Sequence, residues 1–112
     1  MKKVRVNVLA TLAAIAVSLL VFPLSAPAQD ASETIYKAKC AACHGPGGSG
    51  SAMGKKLGAH DFRSAEVQKQ TDAELTGIIS GGKSKMPGYA TTLKANEITG
   101  LVAYIRSLAP AK

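Results

Sequence analysis

Apolar residues recur at helical spacing near the end of the chain. The positions are Ile98, Leu101, Val102, Ile105 and Leu108, at intervals of three, one, three and three residues. This spacing predicts one apolar face of a helix from about Ala95 to Leu108, and Pro110 follows its end. Gly100 lies inside this helix, where glycine is unfavourable, so we expect a second helix to pass close to it.

Two earlier helices are predicted by capping patterns that precede apolar residues. Asp30 and Glu33 form a D-x-x-E capping box, which predicts a helix from about Ala31 to Cys43. A T-x-x-E pattern begins at Thr71 and precedes a short apolar helix, which Gly81-Gly82 ends. These patterns indicate an all-α protein of three to four helices.

The segments between the predicted helices are irregular by composition. Residues 45–51 are rich in glycine, and residues 83–92 contain the sequence M-P-G-Y. Leu57, Phe62 and Val67 are scattered apolar anchors in a middle region that we expect to be mostly loop. The sequence shows no alternating strand, internal repeat or second domain.

The first 28 residues have the composition of an export signal. Lys2, Lys3 and Arg5 precede an apolar stretch from Val8 to Phe22, and A-P-A at residues 26–28 provides small residues for cleavage. The apolar stretch is shorter than the roughly 20 residues that a membrane-spanning helix needs. We therefore predict a signal peptide over residues 1–28 and one domain over residues 29–112, with an uncleaved anchor as the alternative.

The composition limits what the remaining domain can be. Two cysteines allow one disulfide at most, and the predicted domain retains only four aromatic residues. A chain this small buries a thin core and often needs a cofactor or another staple. After removal of the signal its charge is mildly basic. No basic run is interleaved with aromatic residues, so nucleic acid is not an expected partner.

The sequence C-A-A-C-H at residues 40–44 is the attachment motif of a c-type haem. Two cysteines three residues apart at a helix end share one face, where both thiols can add to the porphyrin's vinyl groups. His44 can then reach the iron from one side. A zinc site would need further ligands, and a thioredoxin-like site would need a βαβ unit. A plain disulfide would leave the thin core unexplained.

The second axial ligand of the iron decides the reactivity, and three side chains are candidates. Met86 lies 42 residues after His44 in a loop before the last helix, so the chain can return on the opposite face of the haem. Met53 is only nine residues beyond His44, and His60 would give a bis-histidine site. We favour Met86.

With these motifs, residues 30–108 resemble the class I cytochromes c, particularly the small soluble bacterial and algal type. The resemblance rests on C-A-A-C-H-G at 40–45, K-M-P-G-Y at 85–89 and V-A-Y-I at 102–105. It implies a cytochrome c fold wrapped around one covalently bound haem, with thioethers at Cys40 and Cys43 and iron ligands at His44 and Met86. It also implies that Tyr36 packs near Tyr104, where the first and last helices cross.

The resemblance has one departure near the haem motif. Many family members carry Gly-Pro-x-Leu, whose proline carbonyl accepts the ring N–H of the ligand histidine. This sequence has Gly54-Lys55-Lys56-Leu57. The Lys55 carbonyl is one candidate acceptor for His44, but without the proline its placement is less fixed, so the sequence leaves this acceptor open.

These features predict a monomeric periplasmic electron carrier rather than an enzyme. Its expected partners are redox proteins such as an oxidase, a reaction centre, a dehydrogenase or a bc-type complex, with peripheral membrane contact possible. Five lysines flank the motifs, and they form either a basic rim that steers an acidic partner or an ordinary solvated surface: Lys39, Lys55, Lys56, Lys83 and Lys85. The alternatives are a haem subunit of a membrane oxidoreductase, or a sensor or peroxidase with an open sixth site.

Overall fold

The computed structural model describes residues 26–111, which contain six helices and no β-strand. The helices are α1 (Ala26–Lys39), α2 (Ala41–His44), α3 (Ala52–Lys56), α4 (Ala65–Gln68), α5 (Asp72–Gly81) and α6 (Ala95–Ser107). The all-α prediction is confirmed, and the three longest helices are the three that the sequence predicted.

The first and last long helices pack against each other and form the centre of the core. Tyr36 of α1 and Tyr104 of α6 are both buried, with ring centroids 4.9 Å apart, as expected. Gly100 of α6 faces Ser32 of α1, and a β-carbon at Gly100 would overlap the Ser32 hydroxyl. The prediction of a close helix approach at Gly100 is therefore confirmed.

Helix α1 differs from its prediction at both ends. It begins at Ala26, because alanines and a proline in the first turn favour helix before Asp30 is reached. The predicted capping box is wrong: the Asp30 carbonyl accepts from the Thr34 hydroxyl inside the helix, and Glu33 pairs with Lys37 at 2.6 Å. Residues 1–25 of the predicted signal lie outside the described residues, and residues 26–28 form the first turn of α1.

The predicted first helix is also interrupted. Cys40 stands in a turn, and the chain resumes as the one-turn helix α2. Helices α3 and α4 were not predicted, although serine N-caps mark both. The Ser51 hydroxyl accepts from the Gly54 N–H, and the Ser64 hydroxyl accepts from the Val67 N–H.

Helix α5 follows its prediction closely. The Thr71 hydroxyl accepts from the Glu74 N–H at 3.1 Å, and the Glu74 carboxylate accepts from the Thr71 N–H at 2.7 Å. These hydrogen bonds hold the pKa of Glu74 below its usual range. Gly82 ends the helix with a φ of 76°.

Arg106 fixes the end of α6 to the segment that leads into α5. Its guanidinium donates to the Gln68 carbonyl at 3.0 Å, to the Gln70 carbonyl, and to the Asp72 carboxylate at 2.9 Å. The segment from Gln68 to Asp72 is therefore held rigidly at the corner between α4 and α5.

Candidate functional site

One cavity gathers side chains from two distant parts of the sequence. Cys40, Cys43 and His44 line it from the first motif, and Met86 lines it from the loop after α5. The four site residues predicted from the sequence therefore lie around one space. Most of the remaining wall is apolar.

The helix break at Cys40 positions the first motif. The Cys43 and His44 N–H groups both donate to the Cys40 carbonyl, at 3.2 and 2.9 Å, and form the single turn of α2. The chain leaves this turn at Gly45, whose carbonyl accepts from the buried Tyr36 hydroxyl at 2.7 Å. The motif is thus tied to the centre of α1.

Helix α3 packs directly on the motif through a glycine. The Ser51 hydroxyl donates to the Ala42 carbonyl at 2.7 Å, which brings the start of α3 against α2. Gly54 then lies so close to the Cys43 carbonyl that a β-carbon would overlap it. This contact explains why a glycine follows the motif at this distance.

The loop that carries Met86 is held by backbone hydrogen bonds. Lys83 and Met86 exchange two of them, at 3.1 and 2.9 Å, and the Tyr89 N–H donates to the Ile79 carbonyl of α5 at 2.9 Å. The Tyr89 hydroxyl donates to the Lys39 carbonyl at 3.2 Å. Met86 is therefore fixed relative to both α5 and the end of α1.

The imidazole of His44 is held by stacking and has no hydrogen bond within residues 26–111. Its ring stacks on Phe62 with centroids 4.4 Å apart. Its Nδ1 atom is buried and unpartnered among these residues. Burial is the main cause that lowers the pKa of His44, and nearby His60 adds to it, so the neutral form that binds metals is favoured.

The Lys55 carbonyl, the candidate acceptor that the sequence left open, does not receive a hydrogen bond from His44. Lys55 lies inside α3, where its N–H donates to the Ser51 carbonyl at 2.9 Å and its carbonyl accepts from the Gly58 N–H at 3.1 Å. A proline at this position lacks the N–H that makes the first of these bonds. The lysine therefore takes part in the helix instead of serving the histidine.

The other candidates for the second axial position have different surroundings. Met53 is 56% exposed and does not line the cavity. His60 does line it, but its side chain is 59% exposed and its Nδ1 lies 3.5 Å from the Glu66 carboxylate. Of the three candidates, Met86 alone is half-buried against the core.

The residues around the cavity fit a covalently held haem. Both thiols are free, and burial raises the pKa of Cys40. Two buried side-chain polar atoms lack a partner within the described residues, His44 Nδ1 and Gln70 Oε1, and both residues line this cavity. No three His, Cys, Asp or Glu side chains in that part of the chain converge as a zinc site would require.

Comparisons with known proteins agree with this chemistry. The profile of a family described as cytochrome c oxidase, cbb3-type, subunit III, matches residues 27–105. Cytochrome c6 of Pyropia tenera is 32% identical over 70% of this chain and 89% of its own length. Cytochrome c6 of Nostoc sp. is 29% identical over 90% of this chain and 93% of its own. The chain belongs to the class I c-type cytochromes.

Solved structures of c-type cytochromes share the fold. The KustC0563 c-type cytochrome superposes with a TM-score of 0.67 at 30% identity, covering 70% of this chain and 98% of that one. Cytochrome c6 from the diatom Phaeodactylum tricornutum gives a TM-score of 0.54 at 30% identity, over 70% and 91% of the two chains. This cytochrome therefore carries one covalently bound haem c with its iron, and it is an electron-transfer protein rather than an enzyme.

Proposed function

We propose that this cytochrome is a periplasmic one-electron carrier whose iron is ligated by His44 and Met86. The observation that carries the proposal is that Cys40, Cys43, His44 and Met86 line one cavity although Met86 follows His44 by 42 positions. When bound, the haem supplies an iron that alternates between the ferric and ferrous states.

Each of the four side chains has a distinct part in holding that group. Cys40 and Cys43 form thioethers, which retain the haem in a chain too small to enclose it. The His44 imidazole is kept neutral by burial and is oriented by Phe62. Met86 offers a soft thioether sulfur, which favours the reduced iron. If His44 and Met86 both bound the iron, they would leave no coordination position for a substrate.

The far-red absorption of the ferric protein tests the assignment of Met86. A weak methionine–iron charge-transfer band is expected in the wild type. Met86→Ala should abolish the band and allow carbon monoxide to bind the reduced protein. Met53→Ala is the matched control and should retain the band. A band that survives in Met86→Ala, or that disappears only in His60→Gln, would assign the sixth position to another side chain.

We further propose that an acidic redox protein docks where the lysines surround the cavity. Lys39, Lys83 and Lys85 are exposed and line it, and Lys55 and Lys56 are exposed on α3. Within residues 26–111 none of the five forms a salt bridge. Paired Lys83→Gln and Lys85→Gln substitutions should slow electron transfer to an acidic partner about ten-fold at low salt. A rate that ignores both the substitutions and the ionic strength would contradict this docking.

The periplasmic location depends on export, for which residues 1–28 would act as the signal peptide. Cleavage after Ala28 would leave Gln29 as the first residue of the periplasmic protein. Intact mass of the haem-loaded protein isolated from the cell decides this. A mass that includes residues 1–28 would show a retained segment and would replace cleavage with anchoring. Among residues 26–111 no helix is long and apolar enough to cross a membrane.

A second candidate function is a fixed haem subunit of a membrane oxidase. The name of the matching family, a subunit of cbb3-type cytochrome c oxidase, favours it. The cytochrome c6 relatives, which match nearly their whole length, favour the free carrier. Mild solubilisation followed by size separation distinguishes the two, because a subunit co-migrates with a large membrane complex and a carrier does not.

A further inference from the structure

The side-chain oxygen of Gln70 is buried and has no hydrogen-bonding partner among residues 26–111, while the residue as a whole is half-buried. Its side-chain oxygen is fully shielded, and neither atom of its carboxamide takes part in a hydrogen bond within the described residues. Burying an amide without a partner costs free energy, so such groups in native proteins normally meet a partner. The Gln70 amide is therefore available to a group that is not part of residues 26–111.

The backbone around Gln70 is held unusually firmly for a residue between two helices. Its carbonyl accepts from the Arg106 guanidinium, and its N–H donates to the Val67 carbonyl at 3.1 Å. The next residue, Thr71, caps α5. A side chain on a backbone fixed in this way gives up less conformational freedom when it binds a ligand than one on a mobile loop.

The side chain of Gln70 lines the same cavity as the haem-attachment motif and Met86. Gln70 also lines a groove along the outside of α5, together with Glu74 and Lys83. It thus stands where the cavity meets the surface. Apart from its iron and ring nitrogens, haem c carries two propionate carboxylates as its polar groups, and such carboxylates accept hydrogen bonds from amides.

We propose that the Gln70 carboxamide donates a hydrogen bond to a propionate carboxylate of the haem. A half-turn of the amide presents its NH2 group to the cavity without moving other atoms. The bond stabilises the ionised carboxylate and keeps its negative charge near the iron. Gln70 is thus a positioning residue that stabilises the ferric state. This inference rests on the haem site of the proposed function, but not on the identity of the sixth ligand.

The pH dependence of the reduction potential tests the contact in the haem-loaded protein. The potential falls as the pH rises through the pKa of a carboxyl group near the iron. Without its donor the carboxylate is harder to ionise, so Gln70→Leu should move this fall upward by about one pH unit. Gln70→Ala should do the same and serves if the leucine variant loads haem poorly.

Other titrating groups around Gln70 must be kept apart from the propionate. His60 and Glu66 share the cavity wall, Glu74 and Lys83 share the neighbouring groove, and Asp72 lies beyond Thr71. The measurement is therefore made in a His60→Gln background, which leaves His44 as the only histidine.

Gln68→Leu is the control for a purely structural effect. Its amide donates to the Phe62 and Ile105 carbonyls, and Gln68 does not line the cavity. It should lower stability and leave the pH dependence of the potential unchanged. The contact would be overturned if the reduction potential of Gln70→Leu falls at a pH within about 0.3 units of that of its parent, which is about the error of such a measurement. Absence of the far-red band in the wild type would instead overturn Met86 ligation, while a shift in Gln70→Leu would still support the contact.

Discussion

The hydroxyl of Ser32 on α1 occupies the space that a β-carbon at Gly100 on α6 would need. Ser32 is only 5% exposed, and its hydroxyl donates to the Ala28 carbonyl at 3.1 Å. The two helices therefore approach as closely as their backbones and one small side chain allow. This contact joins the two ends of the described chain.

Gly100→Ala should lower the free energy of unfolding by about 1 kcal/mol, because overpacking outweighs the gain in helix propensity. Ser32→Ala should remove the clash. The free energy of unfolding of the double variant should therefore exceed that of Gly100→Ala by at least the amount that Gly100→Ala lost. Gly77→Ala is the control, since nothing lies within 4 Å of a β-carbon there, and it should stabilise α5. Urea unfolding of all four proteins measures the coupling. Additive effects at positions 32 and 100 would contradict the contact.

Gly54→Ala should be more damaging, because its β-carbon meets the Cys43 backbone rather than a movable side chain. We expect a loss of about 3 kcal/mol and a lower yield of haem-loaded protein. Gly47→Ala is the matched control in the preceding loop, where a β-carbon meets nothing within 4 Å. Equal yields and equal urea midpoints for the two variants would show that α3 does not need this close packing.

Arg106→Met should cost about 2 kcal/mol, because it leaves the Gln68 and Gln70 carbonyls without a charged donor. Arg63→Met is the control: Arg63 pairs only with the nearby Asp61 at the surface, and such pairs contribute little. Denaturant unfolding at neutral pH gives both values. Similar small losses for both variants would mean that Arg106 does not hold the corner at Gln70.

Tyr36 predicts how the protein responds to alkaline pH. Burial is the main cause that raises the pKa of Tyr36 to about 12, with Cys40 and Tyr104 adding to it. Because the pKa of Tyr36 is higher in the folded than in the unfolded protein, the stability that the neutral Tyr36 hydroxyl contributes is complete below about pH 10. It is then lost as the pH rises toward 12. Tyr36→Phe should lose the hydrogen bond to Gly45 and flatten the stability profile over this range.

The measurement for Tyr36 is urea unfolding at several pH values between neutral and alkaline. Tyr104→Phe provides the comparison, because Tyr104 is also buried but its hydroxyl makes no hydrogen bond within the described residues. A wild-type stability that stays constant up to pH 12 would contradict the burial argument.

The sequence predicted the elements whose cause is local. Apolar spacing determined α6, and the Thr71 capping box determined α5. The ends of α1 were missed because the helix propensity of residues 26–28 outweighed the cap at Asp30. Helices α3 and α4 were missed because one turn leaves too short a pattern for periodicity to detect. Their serine caps were the available signal.

The candidate site was likewise predictable only in part. Cys40, Cys43, His44 and Met86, which line one cavity, could be named as candidates from residue type and spacing. Gln70 was not, because its importance depends on the absence of a hydrogen-bonding partner, and that absence appears only after folding. The acceptor for His44 stayed open in the sequence, and only the structure excludes the Lys55 carbonyl, because a lysine in this position continues the turn that a proline would restrict.

The pairing of α1 with α6 also has a consequence for the order of assembly. Ala95 follows His44 by 51 positions, so the attachment motif is synthesised before α6, the helix that completes the core. Contacts between distant chain segments form late, because closing a long loop costs entropy. During that interval the two thiols belong to an open chain. The same architecture that later packs against the haem thus leaves the cysteines accessible while the haem is being attached.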